Sequence, residues 1–521
     1  MHPLPRRALL AAGALLAAPP GAARGLAPAV LATRADDWVA PGLDRSVVIR
    51  WGDPVLPGAP PFAPDNPDPL AAERQFGWDV RLLALVEPPM ATDRVPRAVL
   101  VVGHPRVDPA QAWPGGRDLP AVAAAMQGAS ILNLEKRGRR WFVVEGGFQS
   151  RRLTGDTLCR LSGPAAGRVG AAVQGLLGLA GGCATPWGTV LLAESGSEAW
   201  TDRLRGLAPR FARPEGFGWV AELDVLDPQA LPAKRSALGR VEAAGVAAAL
   251  SADGRAVVFL TDRRALGYVF RFVSAGRAAE ADALDSGTLA VARVDQGRLR
   301  WLPLPATAEA ALDPRAAASA LGATPFEMPD GIVVTARGVI YLACTGTPGL
   351  LPPPGRRSST PFGQVLEIEP TGGDPAAPTA SVRLFLQGWD AQAGARGRGP
   401  APETTWPAHP ATLTLDGEDL LWIGTDRGGR VGEVPDALFA CPLAGPNRGV
   451  PLPAYAAPRA AGIGGAVPAP GGETLFVAVR TPGAEEGRGR PASGWPEFRP
   501  GVPPRSTIVG LSRIGGGRPG R

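Results

Sequence analysis

The sequence is poor in histidine and in lysine. Only three of its 521 residues are histidines, namely His2, His104 and His409, and His2 lies in the N-terminal leader. So few histidines nearly exclude a histidine-rich zinc or di-iron site. The formal net charge of +6 comes almost wholly from arginine, because Lys136 and Lys234 are the only lysines. No basic run is interleaved with aromatic residues, so we expect no nucleic-acid partner.

Cysteine is also scarce. The four cysteines lie far apart in the chain and none belongs to a Cys-x-x-Cys pair; they are Cys159, Cys183, Cys344 and Cys441. One or two disulfides are compatible with an oxidising compartment, but this number of cysteines does not require any.

Long apolar runs are missing outside the N-terminus, so we expect no membrane span in the mature chain. At the N-terminus, Arg6-Arg7 precedes an apolar run from Ala8 to Ala18, and small residues follow. This pattern predicts a twin-arginine-type signal peptide over residues 1–29, and hence a periplasmic or secreted protein. An uncleaved membrane anchor is the alternative interpretation.

Glycine and proline, in contrast, are abundant. The chain has 69 glycines and 58 prolines, scattered rather than clustered. Hydrophobic residues make up 45% of the sequence, which allows a sizeable core and excludes a disordered chain. This composition is typical of many short strands joined by turns.

A pattern of short apolar runs recurs along the chain. Each run ends in a polar residue followed by turn-forming residues, at spacings of roughly 40 to 80 residues. The seven runs are Val99 to Val102, Trp141 to Val144, Val190 to Ala193, Ala256 to Leu260, Val339 to Cys344, Leu420 to Gly424 and Thr474 to Val479. This repetition predicts an all-β fold, a β-propeller with inserted loops, whose polar strand ends converge on one channel. A β-sandwich or several all-β domains are the alternatives.

No break in composition separates two domains. We therefore predict one propeller domain over residues 30–521, with an irregular N-terminal segment at about 30–95. The alanine-rich stretch from Pro314 to Leu321 is a candidate short helix. Two segments rich in Pro, Gly and Arg, Gly373 to Pro410 and Ala484 to Pro504, are predicted to be long loops.

The stretch from Cys183 to Glu194 joins a turn to a short strand. Its apolar run, Val190 to Ala193, has the features of a buried strand and ends on a carboxylate. A thiol and a carboxylate near one strand are candidate metal ligands. In the alternative interpretation, Cys183 is a small core residue and Glu194 is a solvated strand end.

A set of motifs, kept in order over nearly the whole mature chain, carries a resemblance to a known family. The motifs are Ile49–Pro54, Pro57–Pro60, Gln75–Trp78, Arg151–Thr154, Leu161–Gly167, Thr185–Thr189, Phe217–Asp224, Lys234–Arg240, Tyr268–Ser274, Gly287–Arg293, Leu321–Pro325 and Leu421–Asp426. In these motifs the sequence resembles the PhoX-type secreted alkaline phosphatases.

The resemblance implies a six-bladed propeller that hydrolyses phosphomonoesters at a cluster of iron and calcium in the channel mouth. One of the seven apolar runs would then be a strand from an inserted or outer position. The implied partner is a small phosphorylated substrate, and we expect the chain to be a monomer. Metal ions in such a site polarise the phosphoryl group and neutralise its charge in the transition state.

The sequence departs from the family pattern at many expected ligand positions. Ala180 stands where the family has a cysteine, and the segment 241–244 lacks the expected His and Glu. Arg263 replaces the second of two aspartates, and Met328 replaces the arginine of an Arg-Pro-Glu motif. The chain therefore resembles a diverged member that has lost many metal-ligand positions.

The remaining matched residues form the predicted site. The expected metal ligands are Glu194, Asp330, Asp262, Asp426 and Cys183, and the expected phosphate-binding residues are Arg151 and Arg152. Calcium, and with it iron, is implied only by the resemblance. About four carboxylates suit one calcium ion better than a cluster of several metal ions. We therefore expect the site to bind one metal ion or none.

Alternatives stay open for several of these residues. Asp262 and Asp426 each follow a threonine at a strand end, where both residue types commonly cap turns. Arg151 and Arg152 could equally form ion pairs between blades. His104 is favoured as a hydrogen-bonding residue at a strand end.

Two functional hypotheses follow. The first is a secreted, metal-dependent phosphoesterase of the PhoX type, with activity that is retained, reduced or lost. The second is a non-catalytic propeller, a pseudoenzyme, that binds a ligand or partner at its channel mouth.

Overall fold

The computed structural model describes residues 25–346, 360–389, 404–485 and 491–521. Nearly all of the predicted signal peptide, residues 1–24, lies outside the described residues. Parts of the two predicted long loops, residues 390–403 and 486–490, also lie outside them.

Strands make up most of the regular structure. In the first half of the chain they are β1 (Trp38–Val39), β2 (Leu43–Arg50), β3 (Arg81–Val86), β4 (Arg97–His104), β5 (Gly128–Arg137), β6 (Arg140–Val143), β7 (Arg151–Leu153), β8 (Leu158–Ser162), β9 (Ala172–Gln174), β10 (Leu179–Ala184), β11 (Val190–Glu194), β12 (Val220–Leu223), β13 (Ala233–Arg235) and β14 (Ala243–Leu250). In the second half they are β15 (Arg255–Asp262), β16 (Val269–Arg277), β17 (Gly287–Asp295), β18 (Arg298–Pro303), β19 (Pro329–Val334), β20 (Ile340–Cys344), β21 (Gln364–Pro370), β22 (Thr379–Gln387), β23 (Pro410–Leu415), β24 (Leu420–Thr425), β25 (Ala437–Pro442), β26 (Leu452–Ala456), β27 (Gly462–Pro468), β28 (Thr474–Arg480) and β29 (Thr507–Arg513).

Helices are short and lie in the connections between strands. The α-helices are α1 (Pro69–Ala72), α2 (Pro109–Ala112), α3 (Pro120–Met126), α4 (Ala166–Val169), α5 (Ser197–Leu204), α6 (Ala308–Leu312) and α7 (Pro314–Ala320). Single 3₁₀ turns are formed by Pro114–Gly116, Pro209–Ala212, Pro214–Gly216, Ser236–Leu238 and Thr371–Gly373. Helix α7 agrees with the helix predicted from the alanine-rich stretch.

The strands group into six antiparallel units, numbered here as blades 1 to 6. From the innermost strand outward, they are β3-β4-β5-β6, β10-β11-β12-β13, β14-β15-β16-β17, β19-β20-β21-β22, β23-β24-β25-β26 and β27-β28-β29-β2. Blades 3 and 4 join into one sheet because β18 pairs with both β17 and β22. Blade 6 combines the N-terminal β2 with the C-terminal β29, which closes the ring.

The innermost strands of the six units contact one another in ring order, from β3 through β10, β14, β19, β23 and β27 back to β3. The protein is therefore a six-bladed β-propeller, and the predicted fold class is confirmed. Within the predicted irregular segment, residues 30–95, the structure has β1, β2, α1 and β3, two of which belong to blades. The predicted loop from Gly373 to Pro410 likewise contains β22.

The core lies between neighbouring blades, and this explains the continuous apolar runs. In β4, Val99 and Val101 pack toward blade 2, whereas Leu100 and Val102 pack toward blade 6. A strand covered by a blade on each face is apolar at every position instead of at every second one.

Six of the seven predicted apolar runs lie in the second strand of a blade and not in its innermost strand. The seventh, Trp141 to Val144, contains β6, the outer strand of blade 1. Three of the innermost strands, β10, β14 and β27, are instead rich in Gly and Ala because they crowd around the axis. A Cβ added at Gly245 of β14 would lie 2.0 Å from the carbonyl oxygen of Asp330 in β19. Crowding therefore hides the innermost strands from a search for apolar runs.

Polar residues are concentrated at one end of the channel. Each innermost strand begins there, and each second strand ends there, because the two are antiparallel neighbours. Helices α2 and α3 follow β4 at this end, and α5 follows β11. We call this end the channel mouth.

Candidate functional site at the channel mouth

A cavity of about 330 Å³ opens at the channel mouth. Blades 1, 2, 3 and 6 and helix α5 contribute its lining. The charged residues among that lining are five arginines and two carboxylates, namely Arg81, Arg106, Arg263, Arg264, Arg480, Glu242 and Asp262. Guanidinium groups thus outnumber carboxylates among the charged groups of the lining.

Asp330 is buried at the mouth and is held by two of these arginines. Nη1 and Nη2 of Arg81 donate to its two carboxylate oxygens at 3.2 and 3.3 Å. Nε of Arg263 donates to Oδ2 at 2.6 Å. Arg81 begins the innermost strand of blade 1 and Asp330 lies in that of blade 4, the opposite blade, so the ion pair crosses the channel.

Arg480, at the end of β28, joins two more aspartates. Its Nε and Nη2 donate to the two oxygens of Asp79 at 2.9 and 2.7 Å, and its Nη1 donates to Oδ2 of Asp426. Oδ1 of Asp426 accepts from the Gly428 amide at 2.8 Å. Arg81 lies 3.9 Å from Asp426, which links this group to Asp330.

The three partly exposed arginines of the cavity share one arrangement. Nε of Arg106 contacts Asp79 at 3.3 Å, Nε of Arg263 contacts Asp330, and Nε of Arg264 contacts Asp262 at 3.3 Å. Within the described ranges, no hydrogen bond from their terminal nitrogens to protein is seen. Hydrogen bonds to buried carboxylates therefore orient Arg106 and Arg263, and a charge contact places Arg264 beside Asp262, while Nη1 and Nη2 remain available to a ligand.

The charges at the mouth are layered. The arginines line the cavity, while Asp79 and Asp330 lie behind them with no exposed surface. Burial alone would raise the pKa of Asp79, but the positive charges, Arg480 foremost, outweigh burial and lower it. In Asp330, Arg81 and Arg263 outweigh burial in the same way and lower the pKa. These aspartates are ionised, and the layer that faces the cavity is positive.

Asp262 differs from the other aspartates. Its Oδ2 accepts from Arg315, but its Oδ1 has no hydrogen-bond partner within the described part of the chain. Burial raises the pKa of Asp262, and the nearby Arg264 and Arg315 do not fully offset that rise. Asp262 also lines the cavity, where its Oδ1 lies 3.3 Å from Nε of Arg264 without forming a hydrogen bond to it.

Three of the predicted metal ligands come together at the mouth, namely Asp262, Asp330 and Asp426. Glu194 does not line the cavity. Its carboxylate is fully buried at the end of β11, where it accepts from Nζ of Lys234 at 2.9 Å. Amides of Leu177, Gly218 and Trp219 also donate to it, at 2.9 to 3.1 Å. This carboxylate joins the end of β11 to neighbouring loops.

Cys183 lies toward the opposite end of the channel. It is near the end of β10, paired with Leu191, whereas Ala180, near the start of β10, lines the mouth cavity. Cys183 instead lines a second cavity, of about 370 Å³, formed by all six innermost strands. Burial raises the pKa of its thiol to about 12, so it is protonated at neutral pH. The structure thus separates Cys183 from the three mouth aspartates.

Arg151 and Arg152 do not line the mouth cavity. As successive residues of β7 they point to opposite faces. Arg151 donates to the carbonyls of Pro228 and Ala230 at 2.6 and 3.0 Å. Arg152 donates to the carbonyls of Ala125 and Gln127, both at 2.9 Å. Both side chains bind backbone oxygens of neighbouring segments.

His104 ends β4 and is completely buried. Its Nδ1 donates to the carbonyl oxygen of Asp79 at 2.7 Å, and its Nε2 accepts from the Ser130 hydroxyl at 2.8 Å. Burial, and then the charge of Arg152, lower the pKa of His104 well below its ordinary value. The neutral ring is a hydrogen-bonding residue that holds the backbone of Asp79 in place.

The carboxylates at the mouth do not suit a multivalent cation. In the described ranges, no group of three or more His, Cys, Asp or Glu side chains is arranged to hold a metal ion. Both oxygens of Asp79, Asp330 and Asp426 are already hydrogen-bonded, mostly to arginine. Calcium requires six to eight oxygen ligands, and these oxygens are engaged by cations of the protein itself.

Several residues of the mouth were not predicted from the sequence, among them Asp79, Arg81, Arg106 and Arg480. Their partners are distant in the chain, with Asp79 and Arg480 separated by 401 positions. One signal was present, because Arg263 occupies a position where the family has an aspartate. That change indicated a site that had exchanged negative for positive charge.

Comparison with known proteins identifies the family. A family model described as alkaline phosphatase PhoX matches residues 26–483. This chain belongs to the PhoX family. A structure of Pseudomonas fluorescens PhoX in complex with vanadate, a transition state analogue, is similar, with a TM-score of 0.85 and 27% sequence identity. The match covers 95% of this chain and 99% of that PhoX chain, so the two share the whole propeller.

Other comparisons add little. A gluconolactonase structure from Xanthomonas campestris is 10% identical with a TM-score of 0.35, over 94% of this chain and 99% of that one. No curated protein sequence matches this chain significantly. Among the described residues, no helix is long and apolar enough to cross a membrane.

Proposed function

We propose that this PhoX-family protein is a phosphatase-like hydrolase that binds the phosphoryl group of a small phosphomonoester at the channel mouth. The observation that carries the proposal is the 330 Å³ cavity lined by five arginines. Guanidinium groups bind phosphate oxygens in a bidentate manner and stabilise the charge of a transferring phosphoryl group. The vanadate complex of the P. fluorescens relative supports the same ligand class.

Asp262 is the group that we assign to proton transfer in this reaction. It lines the cavity, and its Oδ1 lacks a hydrogen bond within the described residues. A raised pKa brings a carboxylate closer to the range in which it serves as a general acid or base. In this role Asp262 would orient the attacking water or protonate the leaving oxygen.

A second candidate function, ligand binding without hydrolysis, is supported by the ion-paired carboxylates. The resemblance implied calcium and iron, but the oxygens of Asp79, Asp330 and Asp426 are held by arginines and amides. We derive no step through a metal for this reason. A pseudoenzyme that binds a phosphorylated molecule would retain the arginines and release no product.

The twin-arginine leader supports export to the periplasm or beyond, and no nucleic-acid partner is expected. A phosphate clamp formed by Arg151 and Arg152 stays a prediction, as do metal-ligand roles for Glu194 and Cys183.

Hydrolysis of a chromogenic phosphomonoester separates the two candidate functions. The purified mature chain is assayed across neutral and alkaline pH, with a chelator, and then with calcium or iron restored. Release of phosphate supports the phosphatase. Binding of phosphate measured by calorimetry, together with no turnover in any condition, supports the binding protein and rejects the phosphatase.

A further inference from the structure

We propose that the channel mouth binds a tetrahedral oxyanion directly through the terminal nitrogens of Arg106, Arg263 and Arg264, without a bridging metal ion. The inference rests on the proposed function for the location and class of the ligand. It goes beyond that function by naming the groups that hold the anion and by replacing the metal cluster implied by the family.

The carboxylates at the mouth already accept hydrogen bonds from the protein. Asp330 receives three hydrogen bonds from Arg81 and Arg263, and Asp79 receives two from Arg480, one from Arg106 and one from the Val80 amide. A metal ion could use these oxygens only after the guanidinium groups had moved away. Breaking a buried, hydrogen-bonded ion pair leaves an uncompensated buried charge, which is strongly unfavourable.

The three partly exposed arginines present their terminal nitrogens to the same cavity. Nε of Arg106 and Nε of Arg263 are each hydrogen-bonded to a buried aspartate, Arg264 makes a charge contact with Asp262, and all three residues line the same cavity. Their side chains are 43%, 31% and 47% exposed, for Arg106, Arg263 and Arg264 respectively. Fixed guanidinium groups lose little side-chain entropy on binding and present paired N–H donors to the oxygens of a phosphate.

The charges around the cavity and its size also suit a small anion. Arg81 and Arg480 are balanced by the buried aspartates with which they pair. The exposed guanidinium groups of Arg106 and Arg263 face the cavity while Asp79 and Asp330 lie buried behind them, so an anion in the cavity meets the positive groups first. The volume of about 330 Å³ suits a phosphate group with a small organic substituent.

The test uses the purified mature chain after treatment with a chelator, with the residual metal content measured by mass spectrometry. Binding of inorganic orthophosphate and of orthovanadate is then followed by isothermal titration calorimetry. The variants Arg106→Gln, Arg263→Gln and Arg264→Gln each remove one guanidinium. Arg81 still holds Asp330 in the Arg263 variant, which protects the fold.

Arg255→Gln is the matched control. Nε of Arg255 contacts Asp253 at 2.8 Å and the side chain is 37% exposed, but it begins β15 at the end away from the mouth. We expect metal-free protein to bind both anions, each mouth variant to bind about tenfold more weakly, and the control to bind normally.

Two results would overturn the inference. One is binding that appears only after calcium or iron is restored. The other is equal affinity in the three mouth variants and the control. Thermal unfolding of each variant identifies any that fail to fold, and the chelator comparison on the unmodified chain decides the matter without them. Failure of phosphomonoester hydrolysis with anion binding intact would remove the proposed phosphatase and leave this inference standing.

Discussion

Nε of Arg263 donates to Oδ2 of Asp330 at 2.6 Å, and this contact joins blades 3 and 4 at the channel mouth. Asp330 was a predicted metal ligand, and its buried charge is met instead by a side chain of the protein. Asp426, also a predicted ligand, is paired with Arg480, which bridges it to Asp79. Arginine side chains therefore occupy the carboxylate oxygens that a metal ion would need.

Replacing Asp262 tests its proposed role in proton transfer. We expect Asp262→Asn to lower kcat for a phosphomonoester by about a hundredfold or more, with a smaller change in KM, because proton transfer typically contributes that much. Steady-state kinetics measures both constants. The control is Asp253→Asn, which changes an exposed aspartate that pairs with Arg255 outside the cavity. Equal kcat values for the two variants would remove Asp262 from the mechanism.

Replacing Glu194 tests its structural role. Glu194→Gln leaves the ammonium of Lys234 buried without its counter-charge, so we expect the free energy of unfolding to fall by about 3 to 5 kcal/mol. Urea denaturation followed by tryptophan fluorescence gives this value. The control Glu198→Gln alters a 59% exposed carboxylate that pairs with Arg240, and should cost less than about 1 kcal/mol. A loss as small as that of the control would show that Lys234 finds another partner.

His104 gives the protein a defined dependence on pH. Its pKa in the folded state is well below the ordinary value, so the unfolded chain binds a proton that the folded chain does not. Stability from this group is fully present above about pH 6.5 and is lost as the pH falls, by about 1.4 kcal/mol per pH unit. Urea unfolding at several pH values measures the slope. His104→Asn should flatten it below pH 6.5, and an unchanged slope would assign the effect to other groups.

The thiol of Cys183 should react slowly. Burial raises its pKa to about 12, and it lies away from the arginines of the mouth. A cysteine at position 180 would instead line the positive cavity, where the thiolate is favoured. Labelling with a chromogenic disulfide at mildly alkaline pH should therefore be faster for Ala180→Cys than for any cysteine of the native chain. Rapid labelling of Cys183 in the unmodified protein would restore it as a candidate thiolate ligand.

The fold could be predicted from the sequence because the strongest signal comes from the most protected strands. Second strands such as β4 and β28 are buried on both faces, so they appear as continuous apolar runs that end in polar residues at the mouth. Innermost strands were missed because glycines such as Gly245 take the place of apolar side chains where strands crowd.

The site could be predicted only in part. Asp262, Asp330 and Asp426 were predicted because they match positions in the motifs of the family. The partners of these aspartates depend on contacts between blades, such as that of Arg81 with Asp330, 249 positions away. Neither local pattern nor spacing encodes such pairs. The register of β10 also decided that Ala180, and not Cys183, lies at the mouth.

A crystal structure of the metal-free protein soaked with vanadate would show whether the arginines of the mouth bind the anion without a metal ion. We expect vanadate in the mouth cavity, in contact with the terminal nitrogens of Arg106, Arg263 and Arg264. Asp330 should still be bound to Arg81. Crystals soaked in addition with calcium or iron should show no anomalous peak among the aspartates. Metal ions bound to Asp262, Asp330 and Asp426, with the arginines displaced and the vanadate held by those ions, would contradict this expectation.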